Sequence, residues 1–292
     1  MENIKELIFK NKPNLTPSSI KTYLSTLKSI YSKVFNSDDY LLTNFNNTEK
    51  VLEHIKDIPA SRRKSVLSSL VVLTWNEKYK SEMLSCISQH NQVVSKQEKT
   101  EKQKANDITQ EELKDIYDDL VNEAKMIYKK KKINDKDIQT LQSYILISLM
   151  NGEFIPPRRS TDWCEFKLYN INDDKCNYMD KNQFVFNTFK NSNTKGQQKI
   201  DVPIDLKNII EKYRKVSENE YLLYDLNGTK MNSTKITQKF NKILGRKAST
   251  NSMRHLFLSS KYSGLIETKK ELAADMKAMG SSAEQESVYI QK

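Results

Sequence analysis

Ser249-Thr250-Asn251-Ser252-Met253-Arg254-His255-Leu256-Phe257-Leu258-Ser259 is the stretch on which the reading of the whole chain turns. It is a helix-compatible apolar run, and the pattern predicts a helix over 250–262. Two rare residue types stand side by side in it. Only seven of the 48 basic residues are arginine, and the 292 residues hold three histidines. A chain so biased toward lysine keeps arginine where lysine will not serve. A planar guanidinium that donates two parallel hydrogen bonds to a phosphate is one such place.

Outward from that stretch, composition narrows the classes. The net charge is +11, a surplus that suits a nucleic-acid partner and equally suits a lysine-rich proteome. Three cysteines, Cys86, Cys164 and Cys176, form no close pair. This argues against a disulfide framework and a cysteine-rich zinc site. No apolar run approaches the ~20 residues of a membrane span, so no membrane partner is expected and an intracellular location is. Six glycines and six prolines are too few for an all-β sandwich of many tight turns. Helix should dominate.

Periodicity divides the chain. In the first part, helices are expected at 16–35, 48–56, 60–75 and 77–90. Thr16 caps the first, with Pro17 behind it. The helix at 60–75 opens on Arg62-Arg63-Lys64, a candidate DNA-binding group. Residues 1–95 read as a small basic helical domain and 96–107 as a linker of polar and charged residues. In 108–292, Thr109 and Glu112 form a capping-box pattern. Another helix follows at 135–150. Two strands, 183–189 and 199–204, are expected to form a hairpin around 190–198. Helices close the chain at 205–216, 233–244, 250–262, 268–279 and 282–290, with a turn at Asn227-Gly228. The fold class is therefore mainly α with a small antiparallel sheet, and no internal repeat is evident.

Four elements recur in order. Arg159 follows Pro156-Pro157-Arg158, and Asp162 stands three residues on. Lys190 or Lys195 lies at the hairpin. Arg254-His255 comes next, and Tyr289 sits near the end. In these residues the chain resembles the tyrosine recombinases, the phage-type integrases. Its Pro-Pro-x-Arg box looks most like integrase-like members of large DNA viruses and their virophage satellites. The resemblance covers about 107–292; the helical first part is similar to the family's core-binding domain in character alone.

The resemblance implies the following roles. Arg159 and Arg254 would neutralise the non-bridging oxygens of a scissile phosphate and favour the charge that builds in the transition state. His255 would assist. Tyr289 would be the nucleophile, a phenol that needs local cations to lose its proton. A lysine would protonate the leaving 5′ oxygen. Lys190 is favoured over Lys195, which is assigned to DNA contact. Arg158 competes with Arg159, and the Pro-Pro-x-Arg pattern favours Arg159. The product would be a 3′-phosphotyrosine link, with no metal, ATP or other cofactor. The partners would be double-stranded DNA and further copies of the chain, a dimer on each site and a tetramer in synapsis. DNA in a host nucleus or a cytoplasmic viral factory would be its location.

Two departures stand out. Asn251 occupies the position, three residues before the second arginine, where the family usually has histidine. Met279-Gly280-Ser281-Ser282 replaces the usual Gly-His-Ser context upstream of the tyrosine. These motivate two alternatives: a type IB topoisomerase using the same residue types, and a DNA-binding relative with weakened catalysis.

Overall fold

A computed structural model describes residues 2–96, 98–169, 171 and 175–279. The chain divides into two compact units, Met1–Thr100 and Glu101–Lys292.

The first unit is helical: α1 (Glu2–Asn11), α2 (Pro17–Phe35), α3 (Thr48–Ile55), α4 (Ala60–Thr74) and α5 (Glu77–Ser95), with a 3-10 turn at Leu42–Asn46. Thr16 caps α2 by accepting from the Ser19 amide, and Asn47 caps α3. Leu27, Ile30, Tyr31 and Val34 form the buried stripe of α2. Tyr31 is the polar pivot of this core. Its hydroxyl accepts from the Leu41 amide at 3.0 Å and from Asn44 Nδ2 at 2.8 Å. Helix α1 was not expected. Only Ile4 and Ile8 of its buried side are fully enclosed, a stripe too short to stand out.

The second unit begins with a short helix, α6 (Glu101–Ala105), inside the stretch expected as linker. Beyond it, Asn106 Oδ1 accepts from the Lys247 amide at 2.9 Å, and Arg246 donates to the Asp107 carbonyl and to Glu112. The second half of that stretch is thus folded onto the loop before the last helix.

Helices α7 (Gln110–Ile127) and α8 (Asp135–Met150) pack as a hairpin. Both start on complete capping boxes, Thr109/Glu112 and Asn134/Asp137. From Leu141 to Met150 almost every residue of α8 is buried, which marks it as the central helix of the unit. A short α9 (Ser160–Trp163) leads into a four-stranded sheet in the order β1 (Phe166–Lys167), β2 (Asn177–Asp180), β3 (Gln183–Phe186), β4 (Gln198–Asp201). The sheet is mixed, correcting the antiparallel expectation: β1 pairs with β2 in parallel, and β2–β3–β4 are antiparallel. A two-residue strand such as β1 has no period to read. Trp163, Phe166, Phe184 and Phe186 cluster at ring-centroid distances of 5.1 to 6.2 Å and lock α9 onto the sheet.

Helices α10 (Ser192–Lys195), α11 (Ile204–Arg214), α12 (Ser233–Leu244) and α13 (Thr250–Ala278) complete the unit. Two helices are present in the α13 run, as expected, but they meet directly at a kink at Tyr262 (φ −129°, ψ 17°) with no intervening loop. The helix expected at 282–290 lies outside the described residues. Gly152, after α8, has φ +80°, and a Cβ there would stand 2.6 Å from the Phe257 ring. Glycine is what lets α13 approach the end of α8 this closely.

Candidate active site

The Pro156-Pro157 turn delivers two arginines to different places. Arg158 turns inward. Its Nε donates to Asp162 Oδ2 at 2.9 Å, and its Nη1 donates to Gln198 Oε1 at 3.1 Å. The guanidinium stacks 3.9 Å from the centroid of Phe186 and 5.5 Å from that of Phe189. Side-chain exposure is 14% for Arg158 and 3% for Asp162. Burial pulls the Arg158 pKa down, Asp162 opposes that, and the charges of Arg159 and Arg254 lower it further. Asp162 thus pairs with Arg158. The sequence pattern had assigned it to Arg159, but one helical turn lets a carboxylate reach an arginine three or four residues away.

Arg159 is the N-cap residue of α9 and is half-buried. Among the described residues its guanidinium has no hydrogen bond or ion pair. The next residue ties it to the helix of the Arg-His pair. The Ser160 amide donates to Thr250 Oγ1 at 3.3 Å, in the first turn of α13, and Ser160 Oγ lies 2.8 Å from Ser233 Oγ at the start of α12. Arg254 stands one turn beyond Thr250, half-buried, next to the buried Met253 and the exposed His255. The structure therefore brings Arg159 and Arg254 within electrostatic range of Arg158. The carboxylate that Arg158 engages among them, Asp162, is itself buried. Positive groups gathered this way repel one another and favour an anion between them.

Asn251 joins the two rare residues of the opening stretch. Its Oδ1 accepts from Arg254 Nη1 at 3.3 Å, and its Nδ2 lies 3.2 Å from His255 Nε2. Arginine can only donate, so it fixes the amide orientation. The Asn251 amino group then donates to His255 Nε2, which places the ring proton of the neutral imidazole on Nδ1. In the sequence Asn251 stands only as a departure from histidine; its bridging role needs the i, i+3 and i, i+4 geometry of the folded helix.

The loop between β3 and β4 carries both candidate lysines. Lys190 does not end a strand as expected. β3 stops at Phe186, and Lys190 sits in an exposed turn four residues on. Lys195 is the last residue of α10, before Gly196, whose φ is +66°. Both are exposed, and neither has a partner among the described residues. The loop is pinned to Arg158 at both ends, by Phe189 next to Lys190 and by Gln198 at the start of β4. Asn177 holds its beginning. Its Oδ1 accepts from the amides of Asn187 and Thr188, and its Nδ2 donates to the carbonyls of Thr188 and Asp162. Nothing in the sequence singles out Asn177 for this role.

In the first unit, Arg62 is exposed and Lys64 half-buried at the start of α4. Arg63, expected to contact DNA, is held by Glu82 of α5 at 2.8 Å. Tyr289 and Ser281 lie outside the described residues. Among the described residues, no group of three or more His, Cys, Asp or Glu side chains could hold a metal ion.

No protein-family model matches the sequence, and no curated protein is found similar to it. Solved structures are. A crystal structure of XerA recombinase is 11% identical with a TM-score of 0.36, over 89% of this chain and 84% of that one. A lambda integrase dimer bound to a COC′ core site is 13% identical with a TM-score of 0.46, over 89% and 88%. A lambda integrase tetramer bound to a Holliday junction is 13% identical with a TM-score of 0.46, over 90% and 69%.

Proposed function

We propose that the protein cleaves and rejoins duplex DNA as a site-specific recombinase or integrase, through a covalent 3′-phosphotyrosine intermediate. One observation carries this reading. Arg159 and Arg254 converge from two helix starts with no carboxylate of their own among the described residues, while a third arginine beside them is ion-paired. Two open guanidiniums suit the two non-bridging oxygens of a phosphodiester. They would hold the ground-state anion and gain strength as charge builds on those oxygens.

Tyr289 is the proposed nucleophile. Its hydroxyl gives its proton to solvent as the oxygen attacks phosphorus, the 5′ oxygen leaves, and Lys190 or Lys195 gives that oxygen a proton. Attack by the freed 5′ hydroxyl reverses the sequence and restores the diester. His255, oriented by Asn251, is proposed to add a hydrogen bond to the phosphate. Partner exchange between two duplexes needs four cleavages, hence the proposed dimer on each site and tetramer in synapsis. The Pro156-Pro157-Arg158-Arg159 box motivates placing the chain with the viral members of the family. Residues 1–95 and 96–107 are proposed as DNA-binding domain and connection, and 108–292 as the catalytic domain.

A nicked duplex that loses its short 5′ fragment on cleavage traps the intermediate. The intact protein should form a denaturant-resistant adduct with it, mapped to Tyr289, and Tyr289→Phe should not. Binding without an adduct would instead support the non-catalytic DNA binder, the reading that Asn251 and Ser281 motivate. Relaxation of supercoils without strand exchange between paired sites would indicate a topoisomerase.

A further inference from the structure

The α7–α8 hairpin has two ends, and the arginine centre lies near one of them. There Gly152, just past α8, meets Phe257, one turn beyond Arg254. At the other end, the last turns of α7 and α11 enclose a pocket of about 410 Å³ lined by Lys125, Tyr128, Lys129, Lys212, Lys215 and Val216. The sixteen residues of α8 separate the two ends by about 24 Å.

Four lysines, two from the end of each helix, line this pocket. The positive strip continues onto the exposed Lys131 and Lys132 in the turn that follows. Among the described residues, the side chains of these six lysines make no hydrogen bond or ion pair. Two carboxylates close by in sequence are taken: Asp137 by Lys130 at 2.5 Å and Glu211 by Arg214 at 3.5 Å. The Tyr128 hydroxyl is buried and lacks a partner. Lysines at a helix end commonly offset the helix dipole. That accounts for one helix at a time and not for two converging on one pocket.

We propose that this lysine-ringed pocket is a second DNA-backbone contact, holding a flank of the same duplex about seven base pairs from the cleaved phosphate. A duplex suits the strip better than a small anion because the lysines run beyond the pocket onto Lys131 and Lys132, and a duplex carries a row of phosphates. The inference rests on the DNA-cleaving reading for the duplex it engages, but it is tested independently of cleavage.

The test is salt-dependent binding of the full chain to duplexes of roughly 10 and roughly 40 base pairs centred on one site; the shorter ends before the proposed flank. The variant joins Lys125→Gln, Lys129→Gln, Lys212→Gln and Lys215→Gln, with its melting temperature checked. On the long duplex, the slope of log affinity against log salt should become shallower by about 2 to 4, since each phosphate contact contributes about 0.9. On the short duplex slope and adduct yield should stay the same, and the matching Lys→Arg variant should keep the wild-type slope. An unchanged slope on the long duplex, or an equal loss on both lengths, overturns the proposal. So does sodium tripolyphosphate binding to the wild type alone when both proteins bind long DNA alike. A change in slope when neither protein forms an adduct would leave the flank contact standing and sink the cleavage reading.

Discussion

The chain has two Arg-Arg doublets, one in each unit, and they end differently. In the first, Arg63 is drawn to Glu82 and Arg62 is left alone on an exposed helix start. In the second, Arg158 is drawn to Asp162 and Arg159 is left beside Arg254. Each doublet gives one arginine to the fold and one to the outside. Only the second brings its carboxylate-free arginine to another arginine without a carboxylate partner among the described residues. A doublet in a sequence is therefore ambiguous, and the neighbour that packing supplies decides what it does.

The comparison can be broken at each of its members. The largest effect belongs to the buried pair. Arg158→Ala strands Asp162 in the core and should cost about 3 to 5 kcal/mol. It would be read from Trp163 emission during denaturation in a Trp75→Phe background, because Trp163 is fully buried beside the pair. Arg159→Ala should leave that transition in place, and equal destabilisation by the two would erase the distinction drawn between them. Next, Arg159→Ala and Arg254→Ala should each slow single-turnover cleavage by roughly 10²- to 10³-fold, about 3 to 4 kcal/mol, whereas Arg62→Ala should leave the cleavage rate of bound DNA unchanged. A smaller effect is expected in the first unit. Arg63→Ala removes a partly exposed pair and should cost about 1 kcal/mol or less, seen as a slightly lower melting temperature. Smallest is Arg62→Ala on binding, with the salt slope shallower by about 0.9 and no change in stability.

Much of the helical frame was readable, because its signals are local. Thr16, the Thr109/Glu112 box and the stripe of α2 fall where the structure places caps and a buried face. The mixed sheet was not readable, since β1 spans two residues and its parallel partner β2 reads Asn177-Tyr178-Met179-Asp180, with no strict polar and apolar alternation. Nor was α10, a single turn inside a stretch that resembles hairpin flanks. At the candidate site, residue types and order were visible, but partners were not. Asp162 lies within reach of both arginines by sequence, and burial beneath Phe186 selects Arg158. Asn251 reads as a missing histidine until the helix lays it across Arg254 and His255.

The central claim is that Arg159 and Arg254 face the charged oxygens of one phosphate. The direct measurement is single-turnover cleavage of a duplex whose scissile phosphate is replaced by a neutral methylphosphonate, compared with the ordinary diester. If the arginines act on that charge, the deficit of Arg159→Ala or Arg254→Ala should shrink from about 10²- to 10³-fold on the diester to near parity on the neutral analogue. A deficit that stays the same on both substrates would contradict the account, placing the two arginines elsewhere than on the phosphate.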